Sequence, residues 1–152
     1  MASQFEQRVR ADINDAMRHA QKERTGVLRM LLSDLKNREI ELQGTVAPGY
    51  ELTDEDCLGV VSRAVKQRKD SVAQYRAGGR EDLATQEEAE IALFQQYLPA
   101  QLTADDVRAM VREIVAAGAN NLGAVMKQLS PRTKGRFDGA EASRIVREVL
   151  GG

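Results

Sequence analysis

Residues 53–79 read TDEDCLGVVSRAVKQRKDSVAQYRAGG and carry the clearest rhythm in the chain. Leu58, Val61, Val65, Arg68, Val72 and Tyr75 recur at alternating steps of three and four. That spacing lines one face of a helix and is the heptad rhythm of packed antiparallel helices. Thr53 with Asp56 forms a capping box that opens the helix. Gly78-Gly79 closes it, because glycine accepts the left-handed backbone of a helix C-terminus.

The same period extends outward in both directions. Upstream, Phe5, Val9, Ile13, Met17 and Ala20 make one stripe, with Ser3 and Glu6 as its capping box. A second helix is expected over about residues 25–42, striped by Leu28, Leu31, Leu32, Leu35 and Leu42 and widened by Val27 and Met30. Gly44 through Gly49, with Pro48 inside, reads as a loop. Downstream, Asp82 is expected to cap a fourth helix with Leu83, Ile91, Phe94 and Leu98 on its apolar face. Pro99 stops it, and residues 99–102 read as a domain junction.

Three shorter helices follow. Thr103 and Asp106 open the first, and Gly118 ends it. Leu122, Val125, Met126 and Leu129 line the next, which is expected to stop at Pro131. Asp138 with Glu141 opens the last, striped by Ile145, Val146, Val149 and Leu150. No segment alternates as a strand does. The expected fold is all-α: about four helices over residues 1–98, then a three-helix domain over residues 103–152.

Composition narrows the chemistry. The chain has 152 residues, one cysteine, one histidine, no tryptophan and a net charge of −1. Cys57 and His19 are too few for a zinc cage, and they sit on different helices, so no Cys–His nucleophile is expected. No Gly-rich phosphate loop appears. No catalytic residue, cofactor or metal is expected. A single thiol, no membrane-length apolar run and a charged N-terminus without a signal-peptide core predict a cytoplasmic protein.

Charged residues inside apolar stripes point to a register-setting ion pair. Arg68 occupies a heptad position. Glu39 falls between Leu35 and Leu42, and Glu87 between Leu83 and Ile91. A buried charge is costly unless paired, so Arg68 is expected to meet Glu39 or Glu87.

The charge is unevenly spread. Residues 1–98 hold 14 basic and 17 acidic residues, net −3, whereas residues 103–152 hold 8 basic and 6 acidic, net +2. Ile114 to Phe137 contains no acid, and it carries Lys127, Arg132, Lys134 and Arg136. Positioned cations in a loop on a helical scaffold suit a polyphosphate backbone. Phe137, just before the Asp138 cap, is placed either to stack on a base or to staple against Ala142. A second cluster, Arg63, Lys66, Arg68 and Lys69, spreads around its helix and reads as a solvated face.

Several stretches resemble the GatB/YqeY family. They are Val27–Leu31 with Lys36–Ile40, Val65–Ser71, Ala77–Leu83 after Tyr75, Glu87–Ile91, Tyr97-Leu98-Pro99, Gly123–Lys127 and Lys134–Gly139, in the family's order. The resemblance implies an all-α fold in two parts. Its C-terminal part is similar to the tail domain of the GatB subunit of glutamine-dependent Asp-tRNA/Glu-tRNA amidotransferase, a tRNA-recognition module. The tail's Val-Met-Lys and Gly-Lys-Ala-Asp match Val125-Met126-Lys127 and Gly135-Arg136-Phe137-Asp138. Phe137 departs from the small residue of that pattern. The resemblance transfers no catalytic residue. It implies a tRNA- or RNA-binding accessory module acting through Lys127, Arg132, Lys134 and Arg136. The alternative is an adaptor that docks an amidotransferase or an aminoacyl-tRNA synthetase. A third reading is a carbon–nitrogen ligase with glutamine as amido-N-donor, for which the chain shows neither an ATP loop nor an amidase Ser-Ser-Lys constellation. No membrane partner is expected.

Overall fold

The computed structural model describes residues 3–151. Among them are seven helices and no strand: α1 (Gln4–Arg18), α2 (Lys22–Thr45), α3 (Asp54–Ala77), α4 (Glu81–Gln95), α5 (Ala104–Ala116), α6 (Leu122–Thr133) and α7 (Gly139–Val149). The fold is all-α, as the period of the apolar residues dictates. The chain divides into two compact units, the first ending at Tyr97 and the second beginning at Leu98.

In the first unit α1 packs on α2 and α3 on α4, and both α1 and α2 also touch α3. Val9, Leu28, Leu31, Leu35, Val61 and Phe94 are almost fully buried. Each buried leucine contributes about 2 kcal/mol by leaving water. The α3 capping box is complete: Thr53 Oγ1 accepts from Asp56 N–H, and the Asp56 carboxylate accepts from Thr53 N–H. At its other end Arg80 N–H reaches the Tyr75 carbonyl and Gly79 N–H the Arg76 carbonyl, with Gly79 at φ +75°. This is the Schellman closure, which requires a left-handed residue at that position.

Some stripe assignments shift by one residue. On α1 the core takes Ala16, while Met17 is 51% exposed; on α2, Met30 is 47% exposed. The helix α2 begins at Lys22, three residues before the expected start at Thr25, which is accommodated inside it with its hydroxyl donating to the Gln21 carbonyl. The helix α4 opens at Glu81 rather than after Asp82, whose carboxylate pairs with Arg80. The helix α6 continues through Pro131 to Thr133. Pro131 lies in its last turn, so only one intrahelical donor is lost.

The second unit has its own core of Val107, Val111, Ile114, Val125, Leu129, Ala142, Ile145 and Val146. The helix α5 starts from a second complete capping box, Thr103 with Asp106. Asn121 caps α6 and Asp138 caps α7 through side-chain oxygens. The segment read as a junction is folded into this unit. Leu102 N–H donates to the Arg136 carbonyl at 2.9 Å, and Arg136 Nε returns a bond to the Ala100 carbonyl at 2.9 Å. Gln101 Nε2 donates to the carbonyls of Pro99 and Gly135, both at 2.9 Å.

Candidate nucleic-acid interface

The acid-free stretch runs from the end of α5 through all of α6 to the turn into α7, and its four cations fall on α6 and that turn. Lys134 is the C-cap of α6, and Gly135 follows at φ +73°. That backbone favours glycine, and a Cβ there would touch the Pro99 ring at 3.7 Å. The chain therefore turns sharply under residues 99–102 and delivers Phe137 to the start of α7.

Beside this turn lies a groove of about 770 Å³. Its floor includes Met126, Pro131 and Phe137, and its rim includes Lys127 and Lys134. No carboxylate lines it. Lys127 is exposed and makes no ion pair among the described residues. Phe137 is half-buried, packing partly against the core that contains Ala142 and partly facing the groove.

The four expected cations do not act alike. Lys127 and Lys134 border the groove. Arg132 is exposed on α6 and reaches Glu113 of α5 at 3.9 Å, an acid just outside the acid-free stretch in sequence. Arg136 is held in place, its Nη1 donating to the Arg132 carbonyl at 3.2 Å and its Nε to Ala100. Its charge neutralises the carbonyl end of α6, where a cation is favoured. Sequence reasoning missed Met126 and Pro131 as floor residues. Their signal was weak, because one reads as core stripe and the other as a helix stop.

The expected ion pair is partly rearranged. Arg68 Nε lies 3.1 Å from Glu90 Oε2 and 4.0 Å from Glu87 Oε2, and its guanidinium covers the Phe94 ring at 4.3 Å. Glu90 was overlooked, although it lies one turn beyond Glu87 on the same face. Glu39 does not take part: its carboxylate is with Lys36 at 3.4 Å. The level of α2 facing Arg68 is set by Met30, whose Sδ accepts from Nη2 at 3.1 Å. Glu39 is nine residues farther, about 13 Å along the helix. Burial pushes the Glu87 carboxyl up, helped by the neighbouring Glu90 charge and opposed by Arg68. Asp34, also near this cluster, is pushed up by burial and drawn down by Arg68.

The two remaining chemical candidates are positioned structurally. Cys57 is fully buried, and burial raises its thiol pKa. His19 is the C-cap of α1, exposed, with Nδ1 2.8 Å from the Asp15 carbonyl. Among the described residues, no group of three or more His, Cys, Asp or Glu is arranged to hold a metal ion. No helix there is long and apolar enough to cross a membrane.

Three relatives place the chain. Proteins named altered inheritance of mitochondria protein 41, mitochondrial, match it in several yeasts. The one from Vanderwaltozyma polyspora is 36% identical over 90 residues, covering 59% of this chain and 46% of that protein. The one from Saccharomyces cerevisiae (strain ATCC 204508 / S288c) is 32% identical over the same length and shares. The one from Lachancea thermotolerans is 31% identical over 123 residues, covering 81% of this chain and 60% of that protein. The chain thus spans about half the length of the first two curated relatives. These names correct the cytoplasmic placement expected from composition: the relatives are named as mitochondrial proteins. A lone buried thiol and a lack of membrane-length helices do not distinguish one reducing compartment from another. The sequence pattern of the family described as Yqey-like protein matches residues 6–150. The chain belongs to the YqeY-like family.

Proposed function

We propose that the second unit is an RNA-binding module and that tRNA is its class of partner. The observation that carries this reading is the groove beside α6, rimmed by Lys127 and Lys134 and lined by no carboxylate. A phosphate backbone is drawn to clustered cations, and RNA duplexes are recognised by backbone and shape more than by base edges. Arg132 and Arg136 add charge on the same turn. The resemblance to the amidotransferase tail supports tRNA over other RNAs and supplies no catalytic role.

A second reading is an adaptor for an amidotransferase or a synthetase. Ile40 near the end of α2 and Val46 just after it, 56% and 62% exposed, favour it as an apolar contact surface. The ligase reading, with glutamine as amido donor, rests on family association alone.

Crosslinking in cells, with sequencing of bound RNA and mapping of crosslinked peptides, separates the first two. The RNA reading predicts recovered tRNA and adducts within residues 122–139. Partner proteins that survive nuclease treatment, with no RNA adducts, would favour the adaptor.

A further inference from the structure

The groove beside α6 is more than a basic patch, because much of its lining is apolar. Met126, Pro131 and Phe137 line it together with Lys127 and Lys134, beside the hydroxyl side chains of Ser130 and Thr133. Pure phosphate binding has no use for an apolar lining. An acidic peptide would satisfy the two lysines, as acidic motifs do on basic clusters, but it brings no flat face to the Phe137 ring that also lines the groove. What fits is a ligand with a flat apolar face and an anion on each side.

We propose that this groove seats one unpaired nucleotide of an RNA strand, the base stacked on Phe137 and the flanking phosphates on Lys127 and Lys134. The inference rests on the RNA reading and adds to it a single-stranded element. Lys127 and Lys134 are seven residues apart, about 10 Å along the helix axis, and their flexible stems close on neighbouring phosphates. An aromatic ring and cations lining one groove are the elements that hold single strands with little sequence preference. Pro131 stiffens the floor, and Gly139, where an added Cβ would meet nothing within 4 Å, leaves the start of α7 open to the strand.

Fluorescence anisotropy with the full chain tests it, using a labelled oligoadenylate of about ten nucleotides and a duplex RNA of equal length. Phe137→Leu keeps an apolar group on the core and removes the stacking face. The seat predicts at least about a fivefold loss of affinity for the single strand and a duplex affinity unchanged within about twofold. Should Phe137→Leu unfold, Phe137→Trp gives a second reading in a chain with no other tryptophan: a base stacked on the indole quenches its fluorescence. Unchanged single-strand affinity in Phe137→Leu, or tryptophan emission in Phe137→Trp that the bound strand leaves unquenched, overturns the seat. If Lys127→Ser with Lys134→Ser still weakens both RNAs, the RNA reading survives that failure. A polyglutamate peptide that displaces the strand as well as RNA does would assign the groove to a protein partner instead.

Discussion

Two residues hold conformations that the rest of the chain must support. Ala20 has φ +52°, the left-handed position of the closure at the end of α1, where Gln21 N–H reaches the Ala16 carbonyl at 2.9 Å. A side chain there is strained, and glycine relieves the strain at some cost in unfolded-state entropy. Ala20→Gly is expected to raise the free energy of unfolding by about 0.5–1 kcal/mol, read by urea denaturation. Arg68 is the opposite case. Its side chain is 12% exposed, lies on Phe94 and faces two carboxylates. Arg68→Ala would leave Glu87 and Glu90 close together without their cation, and is expected to cost about 2–3 kcal/mol in the same measurement. That Arg68 turns inward was legible, because it stands on an apolar stripe. Its partners were legible only in part: Glu87 stands within 4.0 Å, but Glu90 was overlooked and Glu39 lies elsewhere, because the register between helices depends on which side chains interlock, and spacing within one helix carries no record of that.

The helices themselves were legible where a cap and a stripe agreed. The starts of α3, α5 and α7 follow from Thr53, Thr103 and Asp138, because a side-chain oxygen beside free backbone donors is a local interaction. The starts of α2 and α4 were misplaced because neither has a side-chain cap bond, so neighbouring packing sets them. The α3 and α5 caps also predict pH behaviour. Asp56 is held below the usual carboxylate range chiefly by the Tyr50 hydroxyl and then by Thr53 N–H. Asp106 is held low chiefly by Thr103 N–H. A lowered pKa in the folded state means that the fold favours the ionised form. The resulting stability is present at neutral pH and is lost as pH falls below about 4. Asp56→Asn with Asp106→Asn keeps acceptors at both caps and removes both titrations. Urea unfolding between neutral and acid pH should therefore show a flatter acid limb in the double variant than in the parent chain.

Across the molecule, a net charge of −1 conceals an acidic first unit and a small basic second one. The place of the candidate site was legible from that split, since an acid-free run of this length is visible without coordinates. Its floor was not, because Met126 and Pro131 meet Phe137 only once α6 ends and the chain turns at Gly135. Nor was the use of Arg136 legible: one of its carbonyl partners, Ala100, lies on the segment read as a domain junction. The central claim is that RNA is held by the cations of this groove, and the salt dependence of tRNA affinity tests it most directly. The full chain and its Lys127→Ser/Lys134→Ser variant would be titrated with tRNA between about 50 and 200 mM salt. Affinity that falls steeply with salt, with a slope up to about two units shallower in the variant, is the predicted result. Affinity that ignores salt, or a slope that both chains share, would contradict it.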